Sequence, residues 1–191
     1  MFRRPRRWLL LTVAVVFLAT VVVGWQWAAS RTADAVQIHW TDEQPRCTGT
    51  KVRYDRVNDR PVVEAVPGMR CTYRIGIRNT SDHTVQLSRI VAPGIGPRTG
   101  AVVAADRSSD PAARGTNQGR DAIYRVHREL PAGAAASFDL VIAFHPGGCN
   151  VGSTTWFAPW PSVEVETMHR TFLRSAPSVL AWHHEGSTPG C

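Results

Sequence analysis

The sequence predicts an all-β antiparallel sandwich preceded by one N-terminal transmembrane helix. Three observations predict it. No charged residue occurs between Arg7 and Arg31. Apolar and polar residues alternate with period two in residues 69–78 and again in 137–145, the pattern of strands that bury one face. Beyond residue 30, Pro, Gly, Asn and Asp break the chain into short apolar segments, and none repeats with helical period.

The helix comes first. An unbroken helix over residues 8–30 is roughly 34 Å long, enough to cross a hydrocarbon core of about 30 Å. Arg3, Arg4, Arg6 and Arg7 precede it, and such a basic cluster holds that end in the cytoplasm. Trp8 at one boundary, and Trp25 and Trp27 at the other, suit the headgroup layers. The expected organisation is a cytoplasmic basic tail (1–7), a membrane anchor (8–30) and an exported β-sandwich domain (31–191). The location is then the cell membrane, single-pass, with the C-terminal domain extracellular. The competing reading is a cleaved signal peptide, with small-residue sites at Ala28-Ala29-Ser30 or Ala33-Asp34-Ala35. The apolar run is longer than such signals need, which favours a retained anchor.

Strand candidates follow in chain order: 36–40, 51–57 and 61–66, then the clearest one. Met69, Cys71, Tyr73, Ile75 and Ile77 share one face while Arg70, Arg74 and Arg78 share the other. Asn79-Thr80-Ser81-Asp82 is turn chemistry, because short polar side chains bond neighbouring backbone groups. Val85 and Leu87 resume the alternation, so the pair is either a hairpin or a corner. Residues 101–105 precede a Gly/Pro/Ser-rich stretch, and 104–121 reads as a mobile loop. Candidates resume at 123–128, then Phe138, Leu140, Ile142 and Phe144 alternate, and 163–167, 171–174 and 179–182 complete the set.

The segment Pro67 to Asp82, a strand running into Asn-Thr-x-Asp, resembles immunoglobulin-like domains of bacterial envelope proteins. Leu130-Pro131-Ala132-Gly133 ahead of an alternating strand is similar to a later part of those domains. The resemblance implies an immunoglobulin-like sandwich and assigns no functional residue.

The net charge of +7 arises largely from the four arginines of the tail, and all 15 acidic residues lie after residue 30. The exported part is therefore only mildly basic, without the concentrated stripe that nucleic acid requires. The expected partners are membrane lipid through the helix and an envelope protein or wall polymer outside.

Four cysteines in an exported domain form two disulfides. A hairpin turn at Asn58-Asp59 sets position 47 opposite 70 or 71, which favours Cys47–Cys71 and, by elimination, Cys149–Cys191. A Cys71–Cys149 bridge between sheets is the rival, because Pro67-Gly68 interrupts that ladder. His145-Pro146-Gly147-Gly148-Cys149-Asn150 offers a base beside a thiol and resembles the Gly-Cys core of bacterial L,D-transpeptidases. It departs from that core at Gly147, Asn150 and Val151, and the even cysteine count gives Cys149 a partner. A metal site would recruit His145, His169, His183, His184 and Cys149, whose spacings match no ligand motif. No catalytic constellation stands out, so no enzyme activity, cofactor or metal is expected. The alternative is a small envelope enzyme or metal-binding protein using His145 and Cys149. Trp156, Phe157 and Trp160, in a Pro-stiffened stretch, either anchor a partner or cap the sandwich, and capping is favoured.

Overall fold

A computed structural model of the chain describes residues 5–106, 119–149 and 152–186. Helix α1 (Pro5–Asp34) is continuous. Proline suits its first turn, where the missing N–H has no helical acceptor in any case. The hydroxyls of Thr12 and Thr20 donate to the carbonyls of Trp8 (2.9 Å) and Phe17 (2.7 Å), so neither needs an outside partner. Residue 30 is not a break. Ala29 and Ala33 are fully buried and Thr32 nearly so, because the last turns pack on the domain instead of ending at an interface. The helix closes with the Ala35 N–H on the Arg31 carbonyl (3.1 Å), and Val36 opens the first strand.

The sandwich has two principal sheets. In the first, β5 (Arg70–Asn79) is central, with β1 (Val36–Trp40) and the short β2 (Arg46–Thr48) along one edge. On its other side lies β9 (Ala135–Phe144), followed by β7 (Val103–Ala105). The second sheet has the order β12 (Arg170–Ser175), β11 (Ser162–Thr167), β6 (Val85–Ala92), β8 (Ala122–Leu130). Taking β1, β5, β6, β8, β9, β11 and β12 in turn gives an immunoglobulin-like order, with the fourth strand paired to the third rather than to the fifth. The alternation read in the sequence is realised: Met69, Cys71, Tyr73, Ile75 and Ile77 are all buried and meet Leu87, Ile90, Leu140, Val163 and Val165 in one core. Because β5 and β6 belong to different sheets, the turn at 80–84 is a corner and not a hairpin.

The register fixes two ends. Val36 pairs with Asn79, Arg78 with Ala135 and Val85 with Leu130 at the end next to α1, the proximal end. Arg70 pairs with Ala143, Ala92 with Ala122 and Val91 with Ser162 at the distal end. There the chain makes excursions that assemble a third sheet, in the order β10 (Thr154–Phe157), β13 (Leu180–His183), β4 (Arg60–Glu64), β3 (Val52–Asp55). Its middle pair, β13 and β4, is parallel. The sequence reading missed β2 and β10, which are too short to show alternation. The hairpin at Asn58-Asp59 exists between β3 and β4, but its ladder forks: β3–β4 enters the third sheet while β2 stays with β5. The fork requires Gly49, whose φ is 69° and whose added Cβ would lie 2.5 Å from the Gly68 carbonyl oxygen. Of the expected loop at 104–121, Ala104 and Ala105 belong to β7, and residues 107–118 lie outside the described residues.

Candidate functional site

The described residues among those singled out from the sequence gather at the distal end, with His169 the exception. Cys47 and Cys71 face each other directly across β2 and β5 and are joined, with an S–S distance of 2.04 Å. Cys149 is also disulfide-bonded. Cys191, its expected counterpart, lies outside the described residues. With Cys71 committed to Cys47, the rival Cys71–Cys149 bridge is ruled out.

The pairing of His145 with Cys149 as base and nucleophile finds no thiol to activate, and the imidazole is turned elsewhere. His145 Nδ1 lies 3.1 Å from the Ala101 carbonyl, whose residue also bridges to Cys149. His183 and His184 take different partners. His183 Nδ1 is 3.1 Å from the Thr154 hydroxyl, whereas His184 Nδ1 is 2.6 Å from the Ala65 carbonyl and its ring lies 5.9 Å from that of Phe144. His169 sits in the turn between β11 and β12 at the proximal end, the length of the sandwich away. Among the described residues no group of three His, Cys, Asp or Glu could hold a metal ion.

The aromatic stretch divides by strand alternation and by the chain's return to the core. Trp160 is fully buried and meets Trp40 and Tyr73 edge to face, with ring centroids 6.2 and 5.5 Å away. As a partner-binding residue Trp160 is thus corrected to a core residue. Burial also pushes the Tyr73 phenol well above its ordinary range, so it stays neutral. Phe157 stacks on Trp182 at 5.1 Å and covers Gly94, where any Cβ would collide with its ring. Trp156, one residue earlier on β10, points outward and is 36% exposed. Of the three, Trp156 is the exposed one.

A cleft of about 310 Å³ opens where the third sheet joins the sandwich. Arg53, Glu64, His183, His184 and Glu185 line it. The Arg53 guanidinium pairs with Glu64 and reaches Glu185 at 3.6 Å. Sequence reasoning missed Arg53, Glu64 and Glu185. No local motif marks them, because β3, β4 and the end of β13 meet only through non-local pairing. Two carboxylates share one guanidinium, and His183 and His184 each bond through Nδ1, to the Thr154 hydroxyl and the Ala65 carbonyl, so the cleft presents a polar surface. That arrangement suits recognition by hydrogen bonding more than proton transfer.

No protein-family model matches the chain, and no curated protein does. Among solved structures it is similar to the ASH / PapD-like domain of human CEP192 (PapD-like domain 7) at 12% identity and a TM-score of 0.34. That similarity covers 78% of this chain and 93% of the other. At such a score it adds nothing to the architecture read from strand pairing.

Proposed function

We propose that the chain is a single-pass membrane protein of the cell envelope. Residues 1–7 lie in the cytoplasm, α1 spans the bilayer, and the sandwich stands outside as a non-catalytic binding or scaffolding domain. The partner is an envelope protein or wall polymer engaged at the distal end, by Trp156 and the cleft beside it.

The observation that carries the anchor is the burial of Ala33, which belongs to the sandwich core although it lies on the same helix as the exposed apolar span Trp8 to Val23. Cleavage at Ala28-Ala29-Ser30 or Ala33-Asp34-Ala35 would remove buried alanines from the folded domain, so the packing favours a retained helix. The exposed span is far larger an apolar surface than a soluble monomer tolerates, which favours lipid as its solvent. The Cys47–Cys71 disulfide favours an oxidising compartment.

Two measurements test this. Mass spectrometry of the mature protein after alkaline extraction of membranes should find the chain in the membrane pellet with its N-terminal residues present. A soluble product beginning after Ser30 or Ala35 overturns the anchor. For the binding role, a photocrosslinker at Val57 should capture an envelope component in intact cells, and Trp156→Ala should abolish that capture. Capture unchanged by Trp156→Ala overturns the role given to that ring.

A further inference from the structure

We infer that the turn between β11 and β12 is a second membrane contact, with Met168, His169 and Arg170 seated in the headgroup layer of the bilayer that α1 crosses. The inference rests on the anchor reading and extends it from the helix to the domain.

Depth is the first of three features that place the turn there. From Trp8 to Trp25 the helix climbs about 26 Å at 1.5 Å per residue, so with Trp8 at the inner boundary of an about 30 Å core, Trp25 and Trp27 reach the outer boundary. Tryptophan favours that level because its ring is apolar and its N–H polar. The Trp25 indole N–H donates to the Met168 carbonyl at 3.2 Å. The turn therefore lies at the depth of Trp25, within the reach of one side chain.

Rigidity is the second. Thr167 pairs with Arg170, leaving a two-residue turn in which Met168 (φ 49°) and His169 (φ 59°) both take the left-handed conformation that matches strand twist. The turn cannot fold back from the surface without breaking that pairing. Arg174 ties the same hairpin to the helix, reaching the Ser30 carbonyl at 3.3 Å and the Asp34 carboxylate at 2.6 Å. No linker intervenes between α1 and β1 that would let the domain swing away.

Chemistry is the third. His169 and Arg170 are exposed, and Arg31 lies with its guanidinium 4.5 Å from the centroid of the Trp27 ring. Two guanidinium groups and an imidazole at headgroup depth suit lipid phosphates, which accept paired N–H bonds from arginine. The carboxylate at this level nearest the turn in sequence is Glu166. Glu166 and Glu129, both exposed, line with Met168 and His169 an open pocket of about 250 Å³ beside the turn.

The test uses the full chain in vesicles of mixed phosphatidylcholine and phosphatidylglycerol. Single spin labels are placed by Val16→Cys, Arg170→Cys or Val57→Cys. No described cysteine is free, so the added thiol is the one that reacts. Accessibility to oxygen and to an aqueous nickel chelate gives each depth. The expected result is Val16 in the hydrocarbon, Arg170 shielded from nickel at headgroup depth, and Val57 fully aqueous. Arg170 as aqueous as Val57, with Val16 in the hydrocarbon, overturns the second contact and leaves the anchor standing. Val16 in water overturns the anchor itself.

Discussion

The proximal and distal ends of the sandwich close the same strands by opposite means. At the proximal end the connections are residues 80–84, 131–134 and 168–169, each short and each pinned by specific bonds. Asn79 is the clearest case: buried completely, its amide donates to the carbonyls of His83 (2.7 Å), Leu130 (2.9 Å) and Pro131 (3.1 Å), joining two turns. Its oxygen accepts from the Ser81 backbone at 3.0 Å and the Ser81 hydroxyl at 2.7 Å. At the distal end the chain instead leaves the sandwich in long excursions that build a third sheet, and the three described disulfide-bonded cysteines, Cys47, Cys71 and Cys149, lie at this end. Short closed turns give one geometry, which suits an end fixed to a helix. Long excursions on a rigid frame are where binding surfaces commonly sit, which is the ground for the role proposed for this end.

The largest expected effect separates packing from recognition within the distal end. Trp160→Ala should destabilise the fold by about 3–5 kcal/mol, because it empties a fully buried site among Trp40 and Tyr73. Trp160→Phe should cost less, since a ring remains and a buried indole N–H without an acceptor is removed. Trp156→Ala, four positions earlier, should cost clearly less, about 1 kcal/mol, because a third of the residue is already exposed and no closed cavity is left. Thermal unfolding of the full chain in detergent, followed by near-ultraviolet circular dichroism, reads all three. Equal losses for Trp156→Ala and Trp160→Ala would erase the distinction between them.

Next in size is the cross-link. Replacing Cys47 and Cys71 together by Ser should cost about 3 kcal/mol in the chain-entropy view, for a sequence separation of 24. The loss should be uneven. Amide hydrogen exchange should speed up in β2, β3 and β4, while β6, β8 and β11 keep most of their protection. Uniform acceleration across both principal sheets would mean that the distal excursion and the sandwich unfold as one unit.

Much of the proximal architecture was legible in the sequence because its signals are local. Period two in residues 69–78 gave β5 and its buried face, and the uncharged run gave the helix. The distal end was legible only in part. The Asn58-Asp59 turn placed Cys47 near Cys71, since hairpin register is arithmetic, yet the fork at Gly49 and Gly68 depends on a close backbone approach that no local pattern announces. The parallel pairing of β13 with β4, and with it the cleft of Arg53, Glu64 and Glu185, joins segments far apart in sequence. Helix packing was invisible for the same reason: Ala29 and Ala33 look like cleavage-site alanines until β11 and β12 are seen to cover them.

Asn79→Ala probes the proximal end and should cost about 2 kcal/mol, because three carbonyls lose a donor and a cavity is left. Asn79→Asp should be no milder, since a carboxylate accepts but cannot donate to those carbonyls. Chemical denaturation distinguishes this from a generic turn effect, for which Asp would substitute well.

The smallest effect lies midway between the two ends, on the outer face of β5 and β9. Arg74 grips Asp139 with two bonds, Nε at 2.7 Å and Nη2 at 2.8 Å, across directly paired residues. That hydrogen bonding, opposed by desolvation and reinforced by the charges of Arg74 and Arg46, holds the Asp139 carboxyl below its ordinary value of 3.8. A lowered carboxyl pKa stabilises the fold at pH values above that of the unfolded chain, and the contribution disappears as pH falls through the folded value. The pair is well exposed, at 41% for each side chain, so solvent screening keeps its contribution small. Asp139→Asn should therefore lower stability slightly at pH 7, less in high salt, and match the parent protein once the medium is acidic enough to protonate Asp139. A difference that persists undiminished into acid would show that the residue acts through packing on β9, not through its charge.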